Sequence, residues 1–302
     1  MAKVSIIIPA RAEVLTNVIT DETVLQRTVR DIYEKATGDF EVIVGFDGPP
    51  YQTFPNHPNL KVIRFPSVVG IKTNINAMAA MATGKYLYKS DAHCSFGKGF
   101  DEILQEDMQD DWIVMPRFYV LNGNTWQWQD DRFYDYFYLC CPFTDPKGFR
   151  FKAGGHWHQR TQERLLSHPD LDETPQIHGS GWMVSRDYYL NILQGFPIKD
   201  SMGHAMEPIN LGLKNWLKGG KVVVNKKTWY AHLHQQSNKR GYHMSKEQEN
   251  YTYDSTARHW MGNKEPNLLH DMRWFVGEKF PDMPTWDNWE ENYKLWKEEN
   301  GV

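Results

Sequence analysis

Lys85-Tyr86-Leu87-Tyr88-Lys89-Ser90-Asp91-Ala92-His93-Cys94 is the stretch on which the reading of this chain turns. Tyr86–Lys89 reads as a short buried strand, and it delivers Asp91 and His93, two residues apart, at its carboxyl end. An oxygen donor and an imidazole placed in this way can converge on one divalent ion. Two polar residues in a surface loop would look the same, so the surrounding sequence has to decide.

Upstream, Val4-Ser5-Ile6-Ile7-Ile8 is apolar and β-branched, as a strand buried on both faces should be, and Pro9 closes it. A helix is expected over Asp21–Ala36, with Val24, Leu25, Val29 and Ile32 on one face and Gly38 ending it. Phe40–Phe46 is a second strand, stopped by Asp47-Gly48-Pro49-Pro50, and Leu60–Phe65 a third. Ile71–Ala82 is a helix closed by Gly84. Alternating strands and helices imply an α/β fold with a mostly parallel central sheet and helices on both faces. Ligands of such sheets lie beyond the carboxyl ends of the strands, where Asp47 and Asp91 both fall.

Downstream, Trp112–Pro116 is a strand, and residues 118–160 read as loops and short strands around a binding surface. Tyr188–Leu193 and Pro208–Leu217 read as helices, and Lys221–Asn225 as a strand followed closely by His232 and His234. Beyond 245 the chain is charged and Trp-rich, suiting helices on the outside of the main domain. The expected organisation is one domain over 1–240 and a helical C-terminal extension over 241–302.

With 302 residues, 40% of them hydrophobic, the chain can bury one large core. A net charge of -4 gives no global attraction to nucleic acid or anionic membrane. Three cysteines, two of them adjacent, make a poor disulfide framework, so a reducing compartment is expected. The chain enters a strand at once, without signal-peptide character, and holds no apolar stretch of membrane-spanning length. These features point to a cytoplasmic protein and leave its oligomeric state open. Of its many aromatics, Trp126, Trp128 and Trp182 could stack on a sugar or base, with core packing as the ordinary alternative.

The run Gly70-Ile71-Lys72 through Asn76, Ala79-Ala80, Thr83-Gly84-Lys85-Tyr86 and Ser90-Asp91-Ala92-His93-Cys94 resembles the family 2 glycosyltransferases of the GT-A fold. That is a Rossmann-like fold of nucleotide-diphospho-sugar transferases. The Asp-Ala-His-Cys form is most similar to the polypeptide N-acetylgalactosaminyltransferases, where Asp-x-His replaces Asp-x-Asp. The resemblance runs from about residue 3 to about residue 235, most of the chain. It implies that Pro9-Ala10-Arg11 is the first nucleotide-binding loop and that Glu13 is its acidic residue, here in Arg-Ala-Glu rather than Asn-Glu. Asp47 matches one of a pair of aspartates that contact the base, and Phe46 stands where the other would be. Lys72 falls near the nucleotide, with a solvated helix position as the alternative.

His178-Gly179-Ser180-Gly181-Trp182-Met183 resembles the Gly-rich strand beneath the donor sugar, which brings Gly181 and Trp182 to the donor. Glycines permit such close approach, and a strand bend needs them equally. Gly203-His204-Ala205-Met206-Glu207-Pro208 resembles the acidic motif that opens the acceptor-side helix. Glu207 takes the carboxylate position, as general base or as an orienting group, although a carboxylate favoured by the helix dipole is the plainer reading. His232 would complete a metal site with Asp91 and His93, and His234 competes for that place. His156-Trp157-His158 could hold a second metal or contact the acceptor. Lys239-Arg240 could hold phosphates in a closing lid or form a solvated turn.

The resemblance therefore implies a Mn²⁺- or Mg²⁺-dependent transferase that takes a nucleotide-sugar donor, a UDP-sugar, to an acceptor hydroxyl on a glycan, a protein or a modified nucleobase in DNA. Two rivals remain. One is a sugar-binding protein on the same fold without catalysis. The other is a nucleotidyltransferase, which should carry a Gly-rich basic loop where Pro9-Ala10-Arg11-Ala12-Glu13 stands.

Overall fold

Strand β1, Val4–Ala10, is buried along its whole length. Its side chains alternate between two cores: Val4, Ile6 and Ile8 enter one, and Ile7 enters the other. That alternation is why a continuous apolar run, rather than an alternating one, occupies the centre of the sheet. The computed structural model describes residues 3–12, 22–152, 155–165, 170–196, 206–234 and 245–301.

Helix α1, Val24–Lys35, begins after Thr23, which exchanges reciprocal hydrogen bonds with Gln26 as a capping box. It packs Leu25, Val29 and Ile32 into the first core. Gly38 is not its cap. The helix ends at Ala36, and the Gly38 amide instead donates to Asp101 at 2.9 Å. Strands β2, Phe40–Phe46, and β3, Leu60–Arg64, follow. Helix α2, Ile71–Met81, lays Ile75, Met78 and Ala79 on the other core, so the two helices sandwich the sheet. Strand β4, Tyr86–Ser90, then returns to pair with β1.

The remaining elements are β5, Cys94–Phe96, α3, Phe100–Ile103, β6, Trp112–Asn122, β7, Gln127–Tyr134, β8, Phe137–Tyr138, and β9, Gly155–His156. After them come α4, His158–Glu163, β10, Leu171–Glu173, β11, Gly181–Ser185, a π-helix over Tyr188–Ile192, α5, Glu207–Leu217, β12, Lys221–His232, α6, Lys246–Met261, a second π-helix over Trp274–Lys279, and α7, Trp289–Asn300. The sheet order is β10-β12-β6-β11-β4-β1-β2-β3, with β5 added to β12 and β7 to β6. Strands β3, β2, β1 and β4 are parallel, and β11 joins them antiparallel. The chain runs outward from β1 to β3 and then crosses to β4, so the switch point of the sheet lies between β1 and β4.

Two strands are longer than the sequence suggests. β6 continues through Pro116, and β12 continues past Asn225 to His232. An irregularity between Asn225 and Trp229 lets β12 resume its pairing with β6. Asn225 supports it by accepting the Lys227 amide at 3.0 Å. The C-terminal segment is helical, as expected, but it is more than an outer layer. Trp260, Met261, Phe275, Trp289 and Trp296 join the same core as Trp216 and Leu217. No helix among the described residues is long and apolar enough to cross a membrane.

Candidate active site

The extended β12 is what assembles the site. Its last residues pair antiparallel with β5, so that His232 stands opposite Cys94, and the Leu233 amide donates to the His93 carbonyl at 3.0 Å. The rings of His93 and His232 lie 4.8 Å apart. Asp91 is held at the end of β4 by its amide, which donates to the Ser180 carbonyl at 3.0 Å. Among the described residues, Asp91, His93 and His232 are the group able to share an ion, with donor atoms all within 4.8 Å of one another. His234 is exposed and lies outside that group.

These three residues fit a divalent cation on their own chemistry. Both ring nitrogens of His232 are buried without a hydrogen-bond partner, although Nε2 lies 3.2 Å from Asp91 Oδ2. A buried imidazole left in that state costs about 1–3 kcal/mol, and nothing in the fold explains it. Burial, seconded by His93, lowers the His232 pKa to about 4 against the pull of Asp91. The ring is therefore neutral at pH 7, the form that binds metal. Burial alone would raise the Asp91 pKa, but Lys89 and then His232 and His93 outweigh it and hold the carboxyl well below its usual range. An ionised carboxylate with imidazole donors suits Mn²⁺ or a related ion.

Two basic residues complete the floor. Lys89 is 3% exposed, and its Nζ donates to Asp91 Oδ1 and, at 2.6 Å, to the Gly179 carbonyl. Lys72 is 6% exposed, so it is not a solvated helix residue. Glu207 opens α5 and is buried, with Oε1 lacking any partner. Burial raises its pKa to about 8, its own backbone amide, Lys72 and Lys89 oppose that shift, and Asp91 adds to it. The two lysines, Asp91 and Glu207 thus lie within electrostatic reach of one another.

His178 is a residue whose role the sequence did not reveal. Its ring stacks on Phe118 at 4.2 Å and its Nδ1 meets Ser180 Oγ at 2.5 Å and the Tyr230 hydroxyl. Burial, then His232 and His234, depress its pKa well below 6.5. Its signal was only its place at the head of the Gly-rich strand.

The other expected residues fall in several places. Pro9 lies inside β1, opposite Gly45, and the strand runs on to Ala10. Arg11 follows, with Nη1 4.0 Å from Asp47 Oδ2. Asp47 Oδ1 accepts the amides of Val69 and Gly70 at 2.6 and 3.0 Å, which fixes the start of α2 beside the end of β2. Gly181 and Gly179 face protein. A Cβ on Gly181 would come within 3.0 Å of Tyr230 and Tyr88, and one on Gly179 within 2.8 Å of Pro208. Gly179 therefore lets β11 close on the first turn of α5, which carries Glu207.

Trp182 is a correction to the stacking expectation. It is 2% exposed and stacks on Tyr189 in the core, so only its backbone could reach a donor. Trp126 is also buried, while Trp128 is 44% exposed and stacks on Tyr119 at 4.8 Å. His156 and His158 have rings 3.8 Å apart, but no third ligand joins them among the described residues. Glu13, Gly203-His204-Ala205 and Lys239-Arg240 lie outside the described residues.

The sequence profile described as "Glycosyl transferase family 2" matches residues 5–193. Polypeptide N-acetylgalactosaminyltransferase 5 of Caenorhabditis elegans is 25% identical over 170 residues, covering 55% of this chain and 26% of that protein. Putative polypeptide N-acetylgalactosaminyltransferase 13 of Drosophila melanogaster is 24% identical over 240 residues, covering 71% of this chain and 38% of that protein. The chain thus spans well under half the length of these relatives. The crystal structure of GalNAc-T7 with UDP, GalNAc and Mn²⁺ superposes with a TM-score of 0.65 at 17% identity, over 93% of this chain and 57% of that one. That likeness establishes a shared GT-A fold.

Proposed function

The chain belongs to glycosyl transferase family 2, and from that membership we propose that it moves a sugar from a uridine diphosphate sugar to an acceptor hydroxyl. The observation that carries this reading is the convergence of Asp91, His93 and His232, with the His232 nitrogens buried and unpartnered. These three residues would hold Mn²⁺ or Mg²⁺. When bound, such an ion neutralises charge on a departing diphosphate. The site lies beside the switch point of the sheet, where Arg11 and Asp47 would meet the nucleotide. Lys72 and the backbone of Gly181 and Trp182 would border the donor sugar.

Glu207 would accept the proton of the acceptor hydroxyl, or orient that hydroxyl, while its oxygen bonds to the anomeric carbon and the bond to diphosphate breaks. Burial makes Glu207 a stronger base than a solvated carboxylate. For the acceptor, the names of the relatives favour a polypeptide hydroxyl over a glycan. The net charge of -4 counts against DNA. Residues 1–240 would form the transferase domain, with 241–302 as a helical extension sharing its core. Free Cys94, Cys140 and Cys141 support a reducing, cytoplasmic setting.

The test is a thermal-shift screen of nucleoside diphosphates and their sugars, each with Mn²⁺ and with chelator. Ligands that bind the folded state raise the melting temperature by mass action. A metal-dependent shift confined to uridine ligands supports the reading. No shift with any of them would overturn it in favour of a binding role without transfer.

A further inference from the structure

Lys89 stands where the strand pattern calls for an apolar side chain. Leu87, two residues earlier, enters the core shared with α2 and α5, and the strand period of two carries residue 89 to the same face. Burying an ammonium there is costly unless it is paired and hydrogen-bonded. Lys89 meets that condition by donating to Asp91 Oδ1 and to the Gly179 carbonyl. The first contact occupies one oxygen of the carboxylate and leaves Oδ2, the oxygen beside His232 Nε2, for coordination. The second ties the site to the glycine against which Pro208 and the start of α5 pack.

The geometry points to Lys89 as a built-in counter-charge that keeps divalent-cation binding weak until a diphosphate is present. This deepens the proposed function and rests on it. The argument is one of charge. Asp91 brings one negative charge and Lys89 cancels it, Lys72 adds positive charge nearby, burial keeps Glu207 largely uncharged at neutral pH, and imidazoles ligate as neutral groups. A dication therefore meets no net attraction in the site until a nucleoside diphosphate supplies negative charge. Cation and diphosphate should then bind cooperatively, each strengthening the other by the same factor. Lys89 acts through Asp91, so it is a positioning residue.

The experiment titrates the full chain with Mn²⁺, following free ion by electron paramagnetic resonance, with and without UDP. Wild type should bind Mn²⁺ at least about tenfold more tightly with UDP present. Lys89→Met should bind Mn²⁺ about tenfold more tightly than wild type, so that the ion stays bound in the absence of UDP. Lys89→Arg, which keeps the charge, should behave as wild type. A tightening is the sign that general structural damage would not produce. Should Lys89→Met fail to fold, Lys89→Gln removes the charge while keeping a donor toward Gly179. Asp91→Asn serves as the control for the site itself. If it abolishes Mn²⁺ binding while Lys89→Met leaves Mn²⁺ affinity unchanged, the role of Lys89 is overturned and the metal site stands. If wild type binds no Mn²⁺ even with UDP, the metal reading falls and this inference falls with it.

Discussion

Glu41 and Glu207 are both buried carboxylates beside the same sheet, and they have opposite fates. Glu41 lies at the amino end of β2, where it accepts Ser5 Oγ at 2.6 Å, the Thr83 amide at 2.6 Å and Thr83 Oγ1 at 2.9 Å, and pairs with Lys61 at 2.6 Å. Burial alone would raise its pKa, but these partners lower it to about 2. Glu207, beside the carboxyl end of β4, keeps Oε1 without a partner and rises to about 8. Burial is common to both, so hydrogen bonding decides the sign. At the amino edge, Glu41 is satisfied within the fold. The carboxyl edge leaves some for something else, and in that respect His232 resembles Glu207.

The hardest break in this comparison is at the metal ligands. Asp91→Asn and His93→Ala should each lower metal-dependent turnover at least about 10³-fold while far-UV circular dichroism is unchanged. Near-normal turnover in either would end the assignment. His232→Ala should lose turnover equally, yet melt no lower than wild type in chelator, because it removes two unpartnered buried nitrogens. A marked fall in melting temperature would show that the ring is a core residue after all.

Glu207→Gln should lower transfer by about 10²-fold with donor affinity nearly unchanged. Equal loss of both would place the side chain in the donor site. Stability supplies a second reading. A carboxyl whose folded pKa is raised from 4.5 to about 8 contributes stability below pH 4.5 that is lost as pH rises through 8. The advantage of Glu207→Gln over wild type in denaturant melts should therefore grow between those limits. Glu41 should do the reverse. Its pKa is depressed from 4.5 to about 2, so its contribution is full above pH 4.5 and disappears as pH falls toward 2. Glu41→Gln should cost about 2 kcal/mol at neutral pH, flatten that acid limb, and leave turnover per folded molecule unchanged.

The strands and helices of the first ninety or so residues were legible because both sheet faces are covered, which makes apolar runs and turn residues unambiguous. Phe40–Phe46 is observed with the bounds its sequence implied. The continuation of β12 was not legible. Lys226 and Lys227 look like the end of a strand, and only the pairing of β12 with β6 and β5 carries it through the irregularity to His232. His93 and His232 are far apart in sequence, and no local pattern announces their meeting. Lys89 was hidden differently: read as one polar residue of a short strand, it gives no sign of its two hydrogen bonds.

Gly181 offers the smallest effect and the finest distinction. The sequence allows two reasons for a glycine there, room for a donor or room for protein. The nearest atoms to a Cβ at this position belong to Tyr230 and Tyr88, both at 3.0 Å. Those rings are fully buried, so neither can swing away freely. Gly181→Ala should then cost about 1 kcal/mol of stability through overpacking, read as a lower denaturant midpoint, with little change in KM for the donor. A raised KM at unchanged stability would mean that the glycine is kept for the sugar. The carboxyl edge would then owe one more of its residues to the ligand and not to the fold.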